Sequence, residues 1–504
     1  MKTQEKIGAL IKKLRKDEGM TQKDFALALA TSQSAVARME RGGQNFSTKE
    51  LRKISKILKH PIVSVSNNTT NDFIIRGGKK LSGSIRTNPS KNGAMGLICA
   101  ALLNKGTTIL HNIPRIEEIA RMIEFISSMK ISIEWVGTHS LKIKVPNRLS
   151  FKGMDIEAAR KMRSSIMTIG ALSHRTESFS LPYAGGCKMG ERTISAHSFG
   201  MQPLGVSVKI QDHAYQISSK LPKRNIETTL YEASDTATEN ILIRAALIPQ
   251  TTTIHFGQLN YMVQDVIGFL RVCGVEIETT GTAIIVKGLE SINNDIEYYN
   301  SEDPIESMAF ITAGIVTQSE ITVMRCPLDF LRLELVKLKR MGLKYALSQE
   351  YFSDNGFTKL VDITVYPSHL KALADKIHPL PYPGINVDNL PFFVPIASLA
   401  TGRTLIHDWM WEHRAIYFTE LNRLGADITL ADPHRVFVDG VAKLRPAEIV
   451  CPPALRPSMI IFIAMLAAEG ESTLRNVYAV KRGYEDIHRR LNALGADITL
   501  IRRP

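Results

Sequence analysis

Cys187 stands in the stretch Leu181-Pro182-Tyr183-Ala184-Gly185-Gly186-Cys187-Lys188-Met189-Gly190-Glu191-Arg192, with glycines on both sides and two cations close by. A thiol on so pliable a loop can move as a lid, and neighbouring positive charge favours the reactive thiolate. The plainer reading is a cysteine that fills a loop. Asp388 ends Pro383-Gly384-Ile385-Asn386-Val387-Asp388, a Pro- and Gly-rich loop that could hold a carboxylate against a ligand. An Asx-turn aspartate is the alternative there. The remaining cysteines, Cys99, Cys273, Cys326 and Cys451, form no CxxC pair and no metal-ligand spacing with Cys187, and an odd number suits a disulfide framework poorly. The sequence holds no metal-binding cluster and no glycine-rich nucleotide fingerprint, so no metal and no cofactor beyond substrate is expected.

The chain that must position these groups has 504 residues, too many for one ordinary core, so several units are expected. The longest apolar run, Met459 to Ala468, has the length of a buried helix and falls short of a membrane span. Residues 1–19 carry Lys and Glu throughout and lack a signal-peptide pattern, so a cytoplasmic protein with no membrane partner is expected. Charge is uneven. Residues 1–60 hold 14 Lys and Arg against six Asp and Glu, a surplus of eight out of 14 for the whole chain. A compact basic unit of that kind suits a phosphate backbone, with a solvated basic face as the bland alternative.

Within residues 1–60, Ile7, Leu10, Ile11 and Leu14 form a helical stripe that Gly19 ends. Thr21 can cap a helix over 22–30, and Thr31 or Ser32 one running to Glu40, before the stop at Gly42-Gly43. Two short helices with a tight joint make a helix-turn-helix, whose second helix offers its first side chains to the major groove. Paired half-sites make a homodimer the geometric expectation. Residues 61–72 are polar, without an apolar period, and read as a linker.

Beyond the linker the chain repeats. Ala245 to Gly274, Ala397 to Gly425 and Ala464 to Gly495 each read as an apolar helix, a short strand and an amphipathic helix ending at glycine, followed by an alternating strand. Weaker copies begin near Ala100, Ala171 and Ala313, making six units. Gly205, Gly274, Gly342, Gly425 and Gly495 recur at intervals of 69, 68, 83 and 70 residues. Units of that size must close into globular domains with helices inside sheets; solenoid stacking is the alternative.

Thr21-Gln22 and Ser32 to Gly42 resemble the phage-repressor-like helix-turn-helix family. That resemblance implies base contacts by Gln33, Ser34 and Arg38 and phosphate contacts by Gln22, Lys23 and Arg41. From about Phe73 onward the chain resembles the UDP-N-acetylglucosamine enolpyruvyl (1-carboxyvinyl) transferases. The likeness is carried by the Cys187 stretch with Ser90-Lys91-Asn92, Lys161 to Ile166, Pro383 to Asp388, Trp411 to Arg414, Leu455 to Ser458 and Lys481 to Tyr484. It implies an α/β fold, a two-domain inside-out barrel of six repeated units, preceded by a small all-α helix-turn-helix domain. The expected limits are 1–60 for the head, 61–72 for the linker and 73–504 for the body, whose lobes are 73–90 with 302–504 and 91–301.

The resemblance implies transfer of the enolpyruvyl group of phosphoenolpyruvate to the 3-hydroxyl of UDP-N-acetylglucosamine with release of phosphate, a step of peptidoglycan precursor synthesis. Cys187, Asp388 and Lys91 would be catalytic. Asn92, Arg163, Arg192, His197, Ser234, Asp235, Thr236, Asp303, Arg414, Arg456 and Arg482 would bind substrate. A phosphate and a carboxylate on three carbons need several cations, which Lys91, Arg192, Arg414, Arg456 and Arg482 supply. Departures gather on the acceptor side: Ser195 replaces a usual aspartate, Glu232 a usual lysine, Asp235-Thr236 a Val-Gly pair, and Pro304 a common arginine. A reversed charge beside a diphosphate repels it by about 1–2 kcal/mol per charge pair at a partly exposed site. Two other readings therefore stay open: the same chemistry on a different acceptor, and a transcription regulator whose barrel senses a ligand.

Overall fold

The structure, a computed structural model, describes residues 8, 11–12, 14–16, 18–43, 46, 48–58, 70–151, 153–160, 162–183, 193–211 and 214–503. The chain divides into two compact units, one of residues 1–70 with 502–504 and one of residues 71–501. Among the described residues no helix is long and apolar enough to cross a membrane.

The first unit contains the helices Gln22–Leu29, Gln33–Glu40 and Thr48–Ile57. Thr21 opens the first with a capping box, its hydroxyl accepting from the Asp24 amide at 3.2 Å while the Asp24 carboxylate accepts from the Thr21 amide at 3.1 Å. Ser32 caps the second by accepting from the Ala35 amide. The joint between them is made by Ala30 in the left-handed conformation (φ 54°), a position where glycine is more usual. Ile11, Leu14, Phe25, Leu29, Val36, Met39, Ile54 and Leu58 form the core. Beneath it, the buried Arg15 guanidinium pairs with Glu40, whose other oxygen accepts from Gln22 at 2.8 Å.

In the second unit six sheets carry the fold among the described residues. Strands Thr70–Gly77, Ser82–Arg86 and those from Glu320 onward build three of them, and strands between Thr107 and Tyr299 build the other three. Strand Thr70–Gly77 starts inside the stretch read as linker: Asp72 is buried and accepts from the Asn476 amide at 2.8 Å. Two hydrophobic cores result, one per set of sheets. Helices Pro304–Val316 and Leu455–Ala467 are buried on nearly every face, as are Lys91–Ala101 and Asp235–Ala245. A helix apolar all round must lie inside, so the sheets surround their helices. The chain passes between the two sets at Pro89 and Glu302, which bridge in antiparallel fashion, with the Ser90 amide donating to Ser301.

The repeat seen in the glycines has a backbone cause. Gly205, Gly274, Gly342, Gly425 and Gly495 all lie at positive φ, from 76° to 109°, where each turns the chain from helical residues into a strand. The sixth unit has Lys130 at that place, with φ 67°, which is why a glycine search misses it. Lys130→Gly is expected to raise the unfolding free energy by about 0.5–1 kcal/mol, the left-handed cost of roughly 1–2 kcal/mol less the larger chain entropy glycine loses. Urea denaturation of the two proteins checks this.

Candidate active site

Between the two sets of sheets the second unit encloses a cavity of about 730 Å³. Lys91, Asn92, Arg163, Ser234, Asp235, Thr236, Asp388, Arg456 and Arg482 all line it, although they are spread over four hundred residues. Three more expected residues stand behind its wall: Arg414, Asp303 and His197 are buried. Cys187 and Arg192 lie outside the described residues.

One end of the cavity is cationic. Lys91 begins helix Lys91–Ala101, fixed there because Ser90 caps the helix by accepting from the Gly93 amide at 3.0 Å. Its ammonium pairs with Glu118 at 3.1 Å, and Arg482 Nε lies 3.8 Å from the same carboxylate. Burial raises the Glu118 carboxyl, but Lys91 and Arg482 outweigh it and hold the group below the usual carboxylate value. Arg456 enters on helix Leu455–Ala467 and donates to the Tyr484 hydroxyl at 2.8 Å and to Asp388 at 3.0 Å. Arg456 Nε and Arg482 Nε are buried donors with no hydrogen-bond partner among the described residues.

Asp388 is set by its loop. The Asn386 side chain accepts from the Asp388 amide, and buried Glu334 accepts from the Asn386 amide at 3.1 Å and the Asn389 side chain at 2.9 Å. Arg414 is fully buried, paired bidentately with Asp408, and donates to the Val387 carbonyl at 2.7 Å. It thus acts on the Asp388 loop from behind, its Nη1 3.8 Å from the Asp388 carboxylate. Burial pushes the Asp388 carboxyl up, yet Arg456 and Arg414 together bring it below its ordinary value. Asp388 is therefore ionised at neutral pH and keeps 26% of its side chain exposed.

The opposite wall is acidic. Glu232 is exposed at its rim, and Asp235 and Glu239 follow on helix Asp235–Ala245. Burial lifts Asp235 to about 6, the Asn260 amide pulling it back and Asp388 adding to the rise. His197 supports this wall from within, its ring nitrogens meeting Asn240 at 3.1 Å and Thr236 at 3.3 Å. Burial, with Arg163 adding, brings its pKa to about 3, so the ring is neutral. Asp303 caps helix Pro304–Val316 by accepting from the Ile305 amide, and Asn92 donates to the Tyr261 hydroxyl at 2.9 Å.

Sequence reasoning missed Glu118, Glu239 and Trp409, and gave no site role to Trp411 and Tyr484, which it met only as members of motifs. Glu117-Glu118 look like the acids that open any helix. Glu239 did carry a signal: it is an acid one turn after Asp235 on the same helix.

In the first unit, Gln33, Ser34 and Arg38 are exposed on helix Gln33–Glu40, and Lys23 and Arg41 are exposed beside it. Gln22 instead directs its amide to Glu40.

Residues 75–491 match the family described as EPSP synthase (3-phosphoshikimate 1-carboxyvinyltransferase), and residues 11–62 match a helix-turn-helix family. The chain is 32% identical to UDP-N-acetylglucosamine 1-carboxyvinyltransferase 1 of Symbiobacterium thermophilum, over 85% of its own length and 95% of that protein. It is also 32% identical to the UDP-N-acetylglucosamine 1-carboxyvinyltransferase of Bradyrhizobium diazoefficiens, over 84% of its length and 97% of that protein. Among solved structures, the enolpyruvyl transferase NikO from Streptomyces tendae shares the fold at TM-score 0.72 and 23% identity, over 86% of this chain and all of that one.

Proposed function

We propose, since this chain belongs to the EPSP synthase family of carboxyvinyltransferases, that its second unit transfers the enolpyruvyl group of phosphoenolpyruvate to an acceptor hydroxyl and releases inorganic phosphate. The observation that carries this reading is the pair of buried Nε donors of Arg456 and Arg482, neither with a hydrogen-bond partner among the described residues, at the end of the cavity that also holds Lys91. Buried guanidinium groups with donors to spare suit a small ligand bearing both a phosphate and a carboxylate.

In the reaction the acceptor oxygen bonds to C2 of phosphoenolpyruvate while C3 gains a proton. The tetrahedral intermediate then loses a proton from C3 and breaks its bond to the phosphate oxygen. Asp388, ionised between Arg456 and Arg414, takes the hydroxyl proton. Cys187 on its glycine-flanked loop delivers the proton to C3, with Arg192 binding the donor. Lys91, Arg456 and Arg482 hold phosphate and carboxylate; Asn92 and Arg163 border the acceptor, and Ser234 and Thr236 face it. Arg414, Asp303 and His197 act from behind the wall. UDP-N-acetylglucosamine is the acceptor named for the relatives and is the first to test here, with peptidoglycan precursor synthesis as the setting. The test is phosphate release from phosphoenolpyruvate in the presence of nucleotide sugars. Absence of release with every acceptor, together with no binding of phosphoenolpyruvate, overturns the reading. Glu232 and Asp235 on the acceptor wall favour a second reading, in which the same transfer serves another acceptor.

For the first unit we propose DNA binding, with Gln33, Ser34 and Arg38 toward bases and Lys23 and Arg41 toward phosphates. Gln22 serves this indirectly by holding Glu40. Arg38→Ala is expected to cost about 1–3 kcal/mol on a specific site, whereas Lys23→Ala should weaken all sequences alike and lower the salt slope by about one. Fluorescence anisotropy at several salt concentrations reads both.

A further inference from the structure

Away from the chain crossings at Pro89 and Glu302, the two sets of sheets are joined around the cavity by noncovalent contacts. Residues 482–485 of one set are gripped at two points by the other. On the cavity side, Glu118 of helix Glu117–Ser127 lies 3.8 Å from Arg482 Nε. Three residues further on, Glu485 Oε2 accepts from the Arg115 amide at 2.9 Å, and its Oε1 lies 2.9 Å from His139 Nε2. Helix Tyr478–Gly483, which ends just before Tyr484, packs on helix Glu117–Ser127.

The seat for the Glu485 carboxylate is built by residues 113–139 alone. Arg115 folds its guanidinium back, donating to the Thr138 carbonyl and, at 2.9 Å, to the Gly137 carbonyl, with its charge 4.0 Å from the centre of the Trp135 ring. The Ile113 amide donates to the His139 carbonyl at 2.9 Å. An amide and an imidazole are thus fixed at one spot, and a carboxylate placed there gains two contacts without having to order its partners.

The segment that carries Glu485 depends on such contacts. Asp486 sits at φ 44°, in the left-handed region that is strained for a residue with a side chain, and it gives helix Ile487–Ala493 no side-chain cap. Strain of this kind persists where the surroundings fix it. The nearby residues serve the donor end of the cavity: Arg482 lines it, and the Tyr484 hydroxyl accepts from Arg456 at 2.8 Å.

We infer that Glu485 is a positioning residue: by joining Arg115 and His139 across the two sets of sheets, it sets Arg482, and Arg456 through Tyr484, for phosphoenolpyruvate. The inference rests on the transferase reading and adds to it residues that touch no substrate. An ion pair that served only the protein surface would leave donor binding unchanged.

The test titrates phosphoenolpyruvate into the full chain by calorimetry and follows phosphate release with nucleotide sugars. Glu485→Ala is expected to weaken phosphoenolpyruvate binding by about tenfold, the scale of a contact that couples two groups. Its KM should rise by a larger factor than its kcat falls. Glu485→Gln, whose amide oxygen can still accept from the Arg115 amide, should recover part of the loss. His139→Ala should weaken binding by itself but add nothing in a double variant with Glu485→Ala, because both remove one contact. Donor binding equal to wild type in Glu485→Ala, or losses that simply add in the double variant, overturns the inference. Should Glu485→Ala not fold, His139→Ala decides, since that side chain is 39% exposed and donor binding equal to wild type there has the same meaning. Wild-type protein that neither binds phosphoenolpyruvate nor releases phosphate removes the transferase reading and this inference together. Wild-type protein that does both, beside variants that match it, removes this inference alone.

Discussion

Arg456→Met is expected to lower kcat/KM for phosphoenolpyruvate by about 10²–10³-fold, the scale seen when one preorganised charge-bearing donor is removed from an active site. Methionine fills most of the volume but removes both contacts of the guanidinium, to the Tyr484 hydroxyl and to Asp388. It also leaves Asp388 with one remaining cation, Arg414, at 3.8 Å. Breaking one side of a buried ion pair costs roughly 3 kcal/mol of stability, the lower end of the usual range because Asp388 also faces the cavity. Arg456→Lys separates charge from shape. It keeps the cation but cannot reach Tyr484 and Asp388 together, so activity between wild type and methionine is expected. Phosphate release and urea denaturation measure the two effects. Unchanged kcat/KM in Arg456→Met removes the donor site from this end of the cavity.

Asp388→Asn is expected to reduce kcat by about 10²–10⁴-fold, the usual contribution of a positioned acid or base. KM for phosphoenolpyruvate should not rise, because the substitution removes negative charge from the cationic end. A rise in KM at constant kcat means instead that Asp388 only arranges the arginines. The pH dependence follows from the same contacts. Arg456 and Arg414 outweigh burial and depress the Asp388 pKa, so the acid limb of kcat/KM should lie below the ordinary aspartate value of about 4. The sign for stability is the same as for any depressed carboxyl. The contribution of Asp388 is present above its unfolded pKa and is lost as pH falls through the lower folded value. Asp388→Asn should therefore flatten the acid side of the stability profile.

The two ends of the cavity differ in how they are held. At the cationic end each charge has a built support: Ser90 caps the helix that carries Lys91, and Glu334 anchors the loop that carries Asp388. At the acidic end the support is neutral, since burial keeps His197 uncharged between Asn240 and Thr236.

Local chemistry made much of this legible beforehand. The helix cap at Thr21, the helix pattern of the head and the glycine-marked units depend on backbone and near-neighbour preferences, which act within a few residues and leave their mark in residue order. Residues such as Lys91, Arg456 and Arg482 were legible through their motifs, and the cavity does bring them together. Lys130 was hidden because a lysine can be held at positive φ by its surroundings even though glycine is the easier choice.

What the sequence by itself determined was the set of elements and the candidate charges: two helices and a tight joint in the head, six apolar helix-and-strand units in the body, and cations placed at recurring motifs. Only the tertiary structure decided which charges meet. It turned Arg414 away from the cavity to Asp408, put Glu118 between Lys91 and Arg482, and buried Glu239 against helix Lys91–Ala101. The reason is one of range. Helix caps and left-handed turns are set by neighbours in the chain, whereas burial and Coulomb interaction depend on distance in space, and Lys91 and Arg482 become neighbours only when both sets of sheets are assembled around one cavity.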